Sequence, residues 1–325
     1  MTSVPIIDLG AARAGNREAL DRVALQIGRA AETTGFFVLT GHGIDPVATR
    51  RLRAAARAFF ASPGDVTSSC RLRPDAYRGF APLASEALAV TIGAESPPDL
   101  RELFNIGPLD APDSSTVPPR YVGHYAANSW PDALPEFRAA MERYYVEVVD
   151  VTRLVTRLFA LALDLPEHHL AALWEPHSMN LTVSRYPSVV ECPPVTGQLW
   201  AGPHTDYGTF TLVARDVGSG GLQIRTDGEW SDVPLVADSL TVNIGDMLQR
   251  WTNDRWHSTM HRVVPSAEPG DPLDRLSIVA FHNPAPMSVV EPLSTCVSDD
   301  VPSRYPAISA GAHLDKKLGL QRTAQ

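Results

Sequence analysis

Hydrophobic positions along the chain fall into two regimes. Before residue 165 they recur mainly at helical spacing, and beyond residue 180 they gather into short runs between turn residues. Leu20, Val23, Ala24, Ile27, Ala30 and Ala31 lie three or four apart, which predicts an amphipathic helix over residues 16–34. Gly35 follows where a left-handed C-cap ends a helix. Phe36-Phe37-Val38-Leu39 then reads as a buried strand closed by Gly41-His42-Gly43, Pro5 to Leu9 as a short strand, and residues 46–60 as a second helix. Residues 63–130 carry scattered prolines and no sustained period, so irregular segments and short strands are expected there, serving as pocket walls or a lid. Phe137, Met141, Tyr144, Val148, Val151, Val155, Leu158 and Ala162 step by fours and threes, the stripe of a long helix over 134–165 that packs against a sheet.

From residue 180 the runs 181–186, 209–213, 221–225, 240–244, 256–264 and 276–282 read as strands. Gly218-Ser219-Gly220-Gly221, Asp227-Gly228, Asn253-Asp254 and Pro269-Gly270-Asp271-Pro272 separate them as turns. Six to eight short strands at this spacing predict a double-sheet jelly roll. Residues 305–320 form a last helix. With no repeats and no low-complexity linker, the chain reads as a single domain over 1–325 of the α+β class with a mainly β core. An N-terminal region of helices and pocket-wall segments (1–130) and a long backing helix (131–179) precede a jelly-roll barrel (180–290) and a C-terminal helix and tail (291–325).

Composition narrows the function classes. The 325 residues suffice for a sizeable core, and 44% hydrophobic with 20% charged residues is ordinary for a globular protein. A formal charge of −9 argues against a nucleic-acid binder, which would show a basic stripe. Cys70, Cys192 and Cys296 are far apart and form no C-x-x-C, so neither a disulfide framework nor a zinc site is expected. The N-terminus lacks the basic start and apolar run of a signal peptide, and no stretch matches a membrane span; a cytoplasmic protein, monomeric or weakly dimeric, is expected.

Candidate chemistry centres on Pro203-His204-Thr205-Asp206. On an extended strand, side chains two apart share a face, so His204 and Asp206 present an imidazole and a carboxylate together. One more imidazole completes the set that suits a non-haem Fe(II) site. His42, His168, His169 and His313 fit turn or surface roles better. His261, in Met260-His261-Arg262-Val263-Val264, and His257 have the same strand parity, so periodicity leaves both open as the third ligand. Arg275 and Ser277 also share a face, on a strand expected to pair with 256–264 across a turn-rich connection. A guanidinium fork plus a hydroxyl can receive a carboxylate, although an isolated Arg-x-Ser is more simply a surface ion pair. Asn243-Ile244-Gly245-Asp246 reads as a structural turn, and Arg101-Glu102 as structural.

Taken in order, His204-Thr205-Asp206, Asn243-Ile244-Gly245-Asp246, Thr252-Asn253-Asp254-Arg255-Trp256, Ser258-Thr259-Met260-His261-Arg262-Val263 and Arg275-Leu276-Ser277 closely resemble the isopenicillin N synthase-like Fe(II)/2-oxoglutarate-dependent dioxygenases. Val4-Pro5-Ile6-Ile7-Asp8-Leu9, Gly35-Phe36-Phe37-Val38 and Arg185-Tyr186-Pro187 extend the resemblance over nearly the whole chain. It implies Fe(II) held by His204, Asp206 and His261, since the distal ligand of that family precedes Arg-Val. It implies 2-oxoglutarate as cosubstrate, its far carboxylate held by Arg275, Ser277 and Tyr186, with O2 as oxidant of an unactivated C–H bond. This chain has Ser184 where many relatives carry Asn, so no cosubstrate contact is assigned there.

Two questions stay open at this level. Isopenicillin N synthase itself takes no 2-oxoglutarate, so an oxidase of that type is the alternative; Gln321 and Gln325 invite comparison with its iron-binding tail glutamine. A non-catalytic binding barrel and a zinc hydrolase are more remote readings. The substrate is a small molecule, with pocket walls expected at Tyr77, Arg78, Phe80, Trp200, Phe281 and Asn283. The resemblance implies a natural-product (antibiotic biosynthesis) intermediate as substrate, undergoing hydroxylation, desaturation or cyclisation, and the Ala/Arg/Val/Asp-rich, Lys-poor composition, which looks like that of a GC-rich actinobacterial protein, agrees with it.

Overall fold

The computed structural model describes residues 3–73, 76–216, 220–265 and 274–322. The expected N-terminal elements are present. Asn16 caps the helix Arg17–Thr33 by accepting from the Ala19 N–H at 2.9 Å. Gly35, at φ +65°, ends it and turns the chain into a strand. A second helix spans Pro46–Phe60, with Asp45 as its cap.

Apart from a small two-stranded sheet of Val289–Val290 and Ile308–Ser309, the strands are β1 (Ile6–Asp8), β2 (Phe36–Thr40), β3 (Gly79–Ala81), β4 (Glu102–Ile106), β5 (Asn180–Tyr186), β6 (Ala201–His204), β7 (Phe210–Arg215), β8 (Leu222–Thr226), β9 (Glu229–Asp232), β10 (Leu240–Ile244), β11 (His261–Val263) and β12 (Arg275–His282). Among the described residues they form an eight-stranded sheet ordered β1-β2-β10-β7-β12-β5-β4-β3 and a four-stranded sheet ordered β6-β11-β8-β9. This is the double-sheet jelly roll with helices outside it. The N-terminal region does more than back the barrel: β1 and β2 extend the large sheet beside β10, and β3 and β4 extend it beside β5.

The long helix Pro135–Ala162 runs under the outer face of the large sheet. Phe137 meets Phe104 of β4 with ring centroids 4.9 Å apart, and Phe159 meets Phe210 of β7 at 5.2 Å. Each such fully buried side chain contributes roughly 1.5–3 kcal/mol relative to exposure. Between the sheets lies a second apolar cluster that includes Phe36, Val38, Tyr186, Trp200, Ile224 and Val263. The two layers of burial, one under the sheet and one inside the barrel, explain why β2 reads as a continuous hydrophobic run, and why β5 and β10 are buried on both faces although their apolar and polar residues alternate.

Two expectations about pairing are corrected. Residues 256–260 are not strand, because their backbone donors are engaged elsewhere. Trp256 N–H bonds Thr252 Oγ1, His257 N–H bonds Ala31 O, and Ser258 N–H bonds Gln249 Oε1. Nor are β11 and β12 neighbours. β11 pairs with β6 and β8, whereas β12 pairs with β5 and β7 in the other sheet. The connection between them crosses from one sheet to the other, as alternating double-sheet winding requires. Its turn Pro269-Gly270-Asp271-Pro272 lies outside the described residues, as do Gly218 and Ser219. Asn253 and Asp254 form the expected turn, both at positive φ.

Candidate active site

The site grows from one cross-strand pair. His204, the last residue of β6, stands directly opposite His261, the first of β11, and their ring centroids lie 4.2 Å apart. Asp206 follows just beyond β6, with Oδ1 3.8 Å from Nε2 of each histidine. The three donor atoms all lie within 4.8 Å of one another, and all three residues are buried. His257 is exposed and precedes the strand, so it joins no such set.

Backbone and side-chain hydrogen bonds determine which atoms are presented. His204 Nδ1 sits 2.7 Å from Gly202 O, and His261 Nδ1 3.1 Å from Thr259 O. Each carbonyl accepts the Nδ1 proton, which leaves Nε2 as a lone-pair donor facing the shared centre. Asp206 Oδ2 accepts from Asn243 Nδ2 at 2.6 Å and from Thr211 Oγ1 at 2.5 Å, so Oδ1 is the free oxygen. Burial, reinforced by the neighbouring His261, pushes the His204 imidazole down to about 3, so it stays neutral at neutral pH. Burial pushes the Asp206 carboxyl up, but the two imidazoles and the Asn243 and Thr211 hydrogen bonds outweigh it and hold it below the usual range. Two imidazole nitrogens and one carboxylate oxygen facing one point are a ready donor set for a divalent ion.

Asn243 escaped the sequence reading, which took Asn243-Ile244-Gly245-Asp246 as a turn only. Instead of a turn, the segment runs from β10 through Gly245 directly into the helix Asp246–Trp251, and Gly245 is a close approach, since a Cβ there would come within 2.3 Å of Gly208 O. The signal for Asn243 was its parity: an amide in the middle of a buried strand needs a buried partner.

Deeper between the sheets, Arg275 pairs across the ladder with Tyr186, and Ser277 with Ser184. Arg275 is 3% exposed, and its Nε and Nη1 have no hydrogen-bond partner. Its guanidinium lies 5.0 Å from the Tyr186 ring and 5.8 Å from the Trp200 ring. Ser277 Oγ bonds the Tyr186 hydroxyl at 3.3 Å. A buried cation with orphaned donors beside two hydroxyls is a receptor lacking its anion. The surface ion pair that an isolated Arg-x-Ser suggests is therefore ruled out for Arg275.

A cavity of about 380 Å³ opens beside His204 and Asp206. Of the expected wall residues, Tyr77, Arg78, Phe281 and Asn283 line it. Phe80 does not; its ring lies 5.6 Å from Phe59, within the core under the sheet. Trp200 does not either, since its ring lies tilted against Tyr186, centroids 5.7 Å apart, on the Arg275 side. Arg78 is held by Tyr77 O, Asn180 Oδ1 and His124 O. Arg101 also lines the cavity, bonded to Glu86 at 2.8 Å, while Tyr77 bonds the other Glu86 oxygen at 2.9 Å. Glu102 is structural, as expected: it bonds Arg185 at 2.7 Å. Leu314, Asp315 and Leu318 of the tail helix Ala310–Arg322 close the cavity, a contribution the sequence reading missed. The side chain of Gln321, and all of Gln325, lie outside the described residues.

Family models for a "non-haem dioxygenase in morphine synthesis N-terminal" region and for the "2OG-Fe(II) oxygenase superfamily" match residues 4–133 and 178–284. This chain belongs to the 2OG-Fe(II) oxygenase superfamily. The oxygenase is 32% identical to validamycin A dioxygenase of Streptomyces hygroscopicus subsp. limoneus over 97% of its own length and 86% of that protein. It is 35% identical to the 2-oxoglutarate-dependent dioxygenase citB of Monascus ruber, covering 82% of this chain and 80% of that one. A full-length Neurospora crassa protein, solved in complex with alpha-KG and thymine, superposes with a TM-score of 0.83 at 26% identity, covering 97% and 96% of the two chains. The protein is thus an Fe(II)- and 2-oxoglutarate-dependent dioxygenase using O2. The residues present fit both groups: a three-donor centre for the ion and an orphaned buried guanidinium for a carboxylate. No helix among the described residues is long and apolar enough to cross a membrane.

Proposed function

We propose that His204 Nε2, Asp206 Oδ1 and His261 Nε2 hold Fe(II), and that Arg275, Ser277 and Tyr186 hold the far carboxylate of 2-oxoglutarate. The observation that carries this reading is the convergence of the three donors, with their remaining polar atoms already tied to Gly202, Thr259, Asn243 and Thr211. Bound Fe(II) supplies activation of O2 coupled to oxidative decarboxylation of the 2-oxo acid, which yields succinate, CO2 and an oxidised substrate. The chain supplies geometry and dryness. Gly202 O and Thr259 O keep a proton on each Nδ1, so neither imidazole can turn its other nitrogen to the ion without breaking a hydrogen bond. Asn243 and Thr211 hold the carboxylate in one-oxygen presentation. Phe36 packs edge-on against His261, ring centroids 5.4 Å apart, and limits its ring rotation.

The substrate is a compact, polar small molecule that enters the 380 Å³ cavity and is oxidised at a C–H bond beside His204 and Asp206. Tyr77, Arg78, Arg101 and Asn283 offer it hydrogen bonds, and Phe281 an apolar wall. The relative named for validamycin A, and the Neurospora crassa protein solved with thymine, support a small polar natural product or heterocycle. The test is succinate release from 2-oxoglutarate by the Fe(II)-loaded protein across a panel of hydroxylated and heterocyclic small molecules. Stimulation is expected for compounds of that size, and none in His204→Ala or Asp206→Ala. Turnover that proceeds unchanged without 2-oxoglutarate would refute the cosubstrate assignment.

A further inference from the structure

The interior of the barrel holds a second buried cation, and the roles assigned above leave it without a task. Along β7, Thr211, Val213 and Arg215 share one face, and the bond from Thr211 to Asp206 shows that face to be the interior. Across the ladder Arg215 stands opposite Ser277, which stands opposite Ser184 of β5; the adjoining row pairs Arg275 with Tyr186. Arg215 therefore shares both the row and the face of the carboxylate receptor.

Arg215 is 6% exposed, and its guanidinium donates to Val233 O at 3.2 Å and to Pro234 O. Among the described residues no acid pairs with it. Asp216, next in sequence, faces the other side of the sheet. There it meets Arg53 at 2.8 Å, Arg57 at 2.7 Å and the Leu276 N–H at 3.0 Å. Burial, with the Arg275 charge acting in the same direction, pulls Arg215 down to about 10, still protonated at neutral pH. Two guanidinium groups in one dry compartment repel each other and are poorly solvated. An anion bound between them removes both costs at once.

We propose that Arg215 is a positioning residue for the cosubstrate, a second cation that makes the inner end of the barrel select a dicarboxylate 2-oxo acid over a monocarboxylate one. It rests on the assignment of Arg275 and Ser277 as the carboxylate anchor. Arg215 acts on the anion through its charge, and its two carbonyl contacts hold the segment at Val233 and Pro234 as a wall of the same compartment.

The test titrates anaerobic Fe(II)-loaded protein with 2-oxoglutarate and with 2-oxobutyrate, which keeps the chelating 2-oxo acid and lacks the far carboxylate. The visible absorption of the Fe(II)–2-oxo acid chelate reports binding in each case, without turnover. Arg215→Met is expected to weaken 2-oxoglutarate at least roughly tenfold and leave 2-oxobutyrate within about twofold, and Arg215→Lys to recover most of the loss. Equal weakening of both acids, unchanged 2-oxoglutarate affinity, or a lysine variant no better than the methionine one would overturn the proposal. Should Arg215→Met fail to fold, Arg215→Gln takes its place under the same criteria, because it removes the charge but keeps an N–H donor for the Val233 and Pro234 carbonyls. Arg275→Met separates the two levels. If it binds 2-oxoglutarate normally, the anchor assignment fails and this proposal with it. If it loses affinity while Arg215→Met does not, only the role of Arg215 fails.

Discussion

Replacing Asn243 by alanine isolates how the carboxylate ligand is presented. Asn243 lies in the middle of β10, 2% exposed, and touches no part of the cavity, so its loss alters neither substrate contacts nor the barrel wall. Its amide donates to Asp206 Oδ2 at 2.6 Å, on the oxygen that also receives Thr211 Oγ1. A hydrogen bond to a buried charged group is worth about 1.5–3 kcal/mol. Part of that loss appears in the metal-free protein, as a lower melting temperature and an Asp206 easier to protonate. The rest appears in metal binding, because a carboxylate released at Oδ2 can rotate away from the geometry that places Oδ1 3.8 Å from both Nε2 atoms.

Partners that orient metal ligands typically account for 10–100-fold in affinity. Asn243→Ala should therefore weaken Fe(II) or Mn(II) binding by about 1.4–2.8 kcal/mol, measured by calorimetric titration under anaerobic conditions. Thr211→Val removes the other donor to the same oxygen. While either donor remains, Oδ2 is still anchored, so the double variant should lose more than the sum of the single losses. Metal affinity within twofold of the wild type in Asn243→Ala, with the fold intact by melting, would refute this account of the carboxylate.

Three further outcomes are expected. His261→Ala should abolish metal binding, whereas His257→Ala, changing an exposed side chain, should leave metal content and turnover unchanged; the reverse pattern would reassign the ligand. The metal-free protein should lose stability as pH falls from 6.5 toward 3, because the unfolded chain takes up a proton that buried His204 refuses; the limiting slope is about 1.4 kcal/mol per pH unit, and His204→Gln should flatten it, as read by melting across pH. Gly35→Ala should destabilise the fold by more than about 2 kcal/mol, since a Cβ at φ +65° would fall 2.1 Å from His257 O and 2.6 Å from Thr259 Oγ1; a chemical-denaturation midpoint equal to the wild type would contradict the close approach.

The Gly35 contact illustrates where the sequence was legible and where it was not. As a helix-ending glycine it could be recognised from spacing alone, because capping is local: the residue, its φ and the helix before it lie within one turn. That the same glycine lets the chain pass against 257–259, whose Thr259 carbonyl orients His261, depends on residues more than 200 positions away. The same division runs through the site. Side-chain parity is local, so Arg275 and Ser277 could be placed on one face, and on that face they are found. Strand partnership is not local. A turn-rich connection after 264 looks the same whether it folds a hairpin or crosses between sheets, and here it crosses. Parity also covers Arg215: it lies four residues from Thr211, and only the pairing of β7 with β12 places both on the face that holds Ser277. Phe80 and Phe281 were indistinguishable as aromatic residues near strands, yet one packs on Phe59 under the sheet and the other faces the cavity. Two layers of burial, inside the barrel and beneath it, give the same hydrophobic sequence signal, and only the pairing of strands tells which side of the sheet is the chemical one.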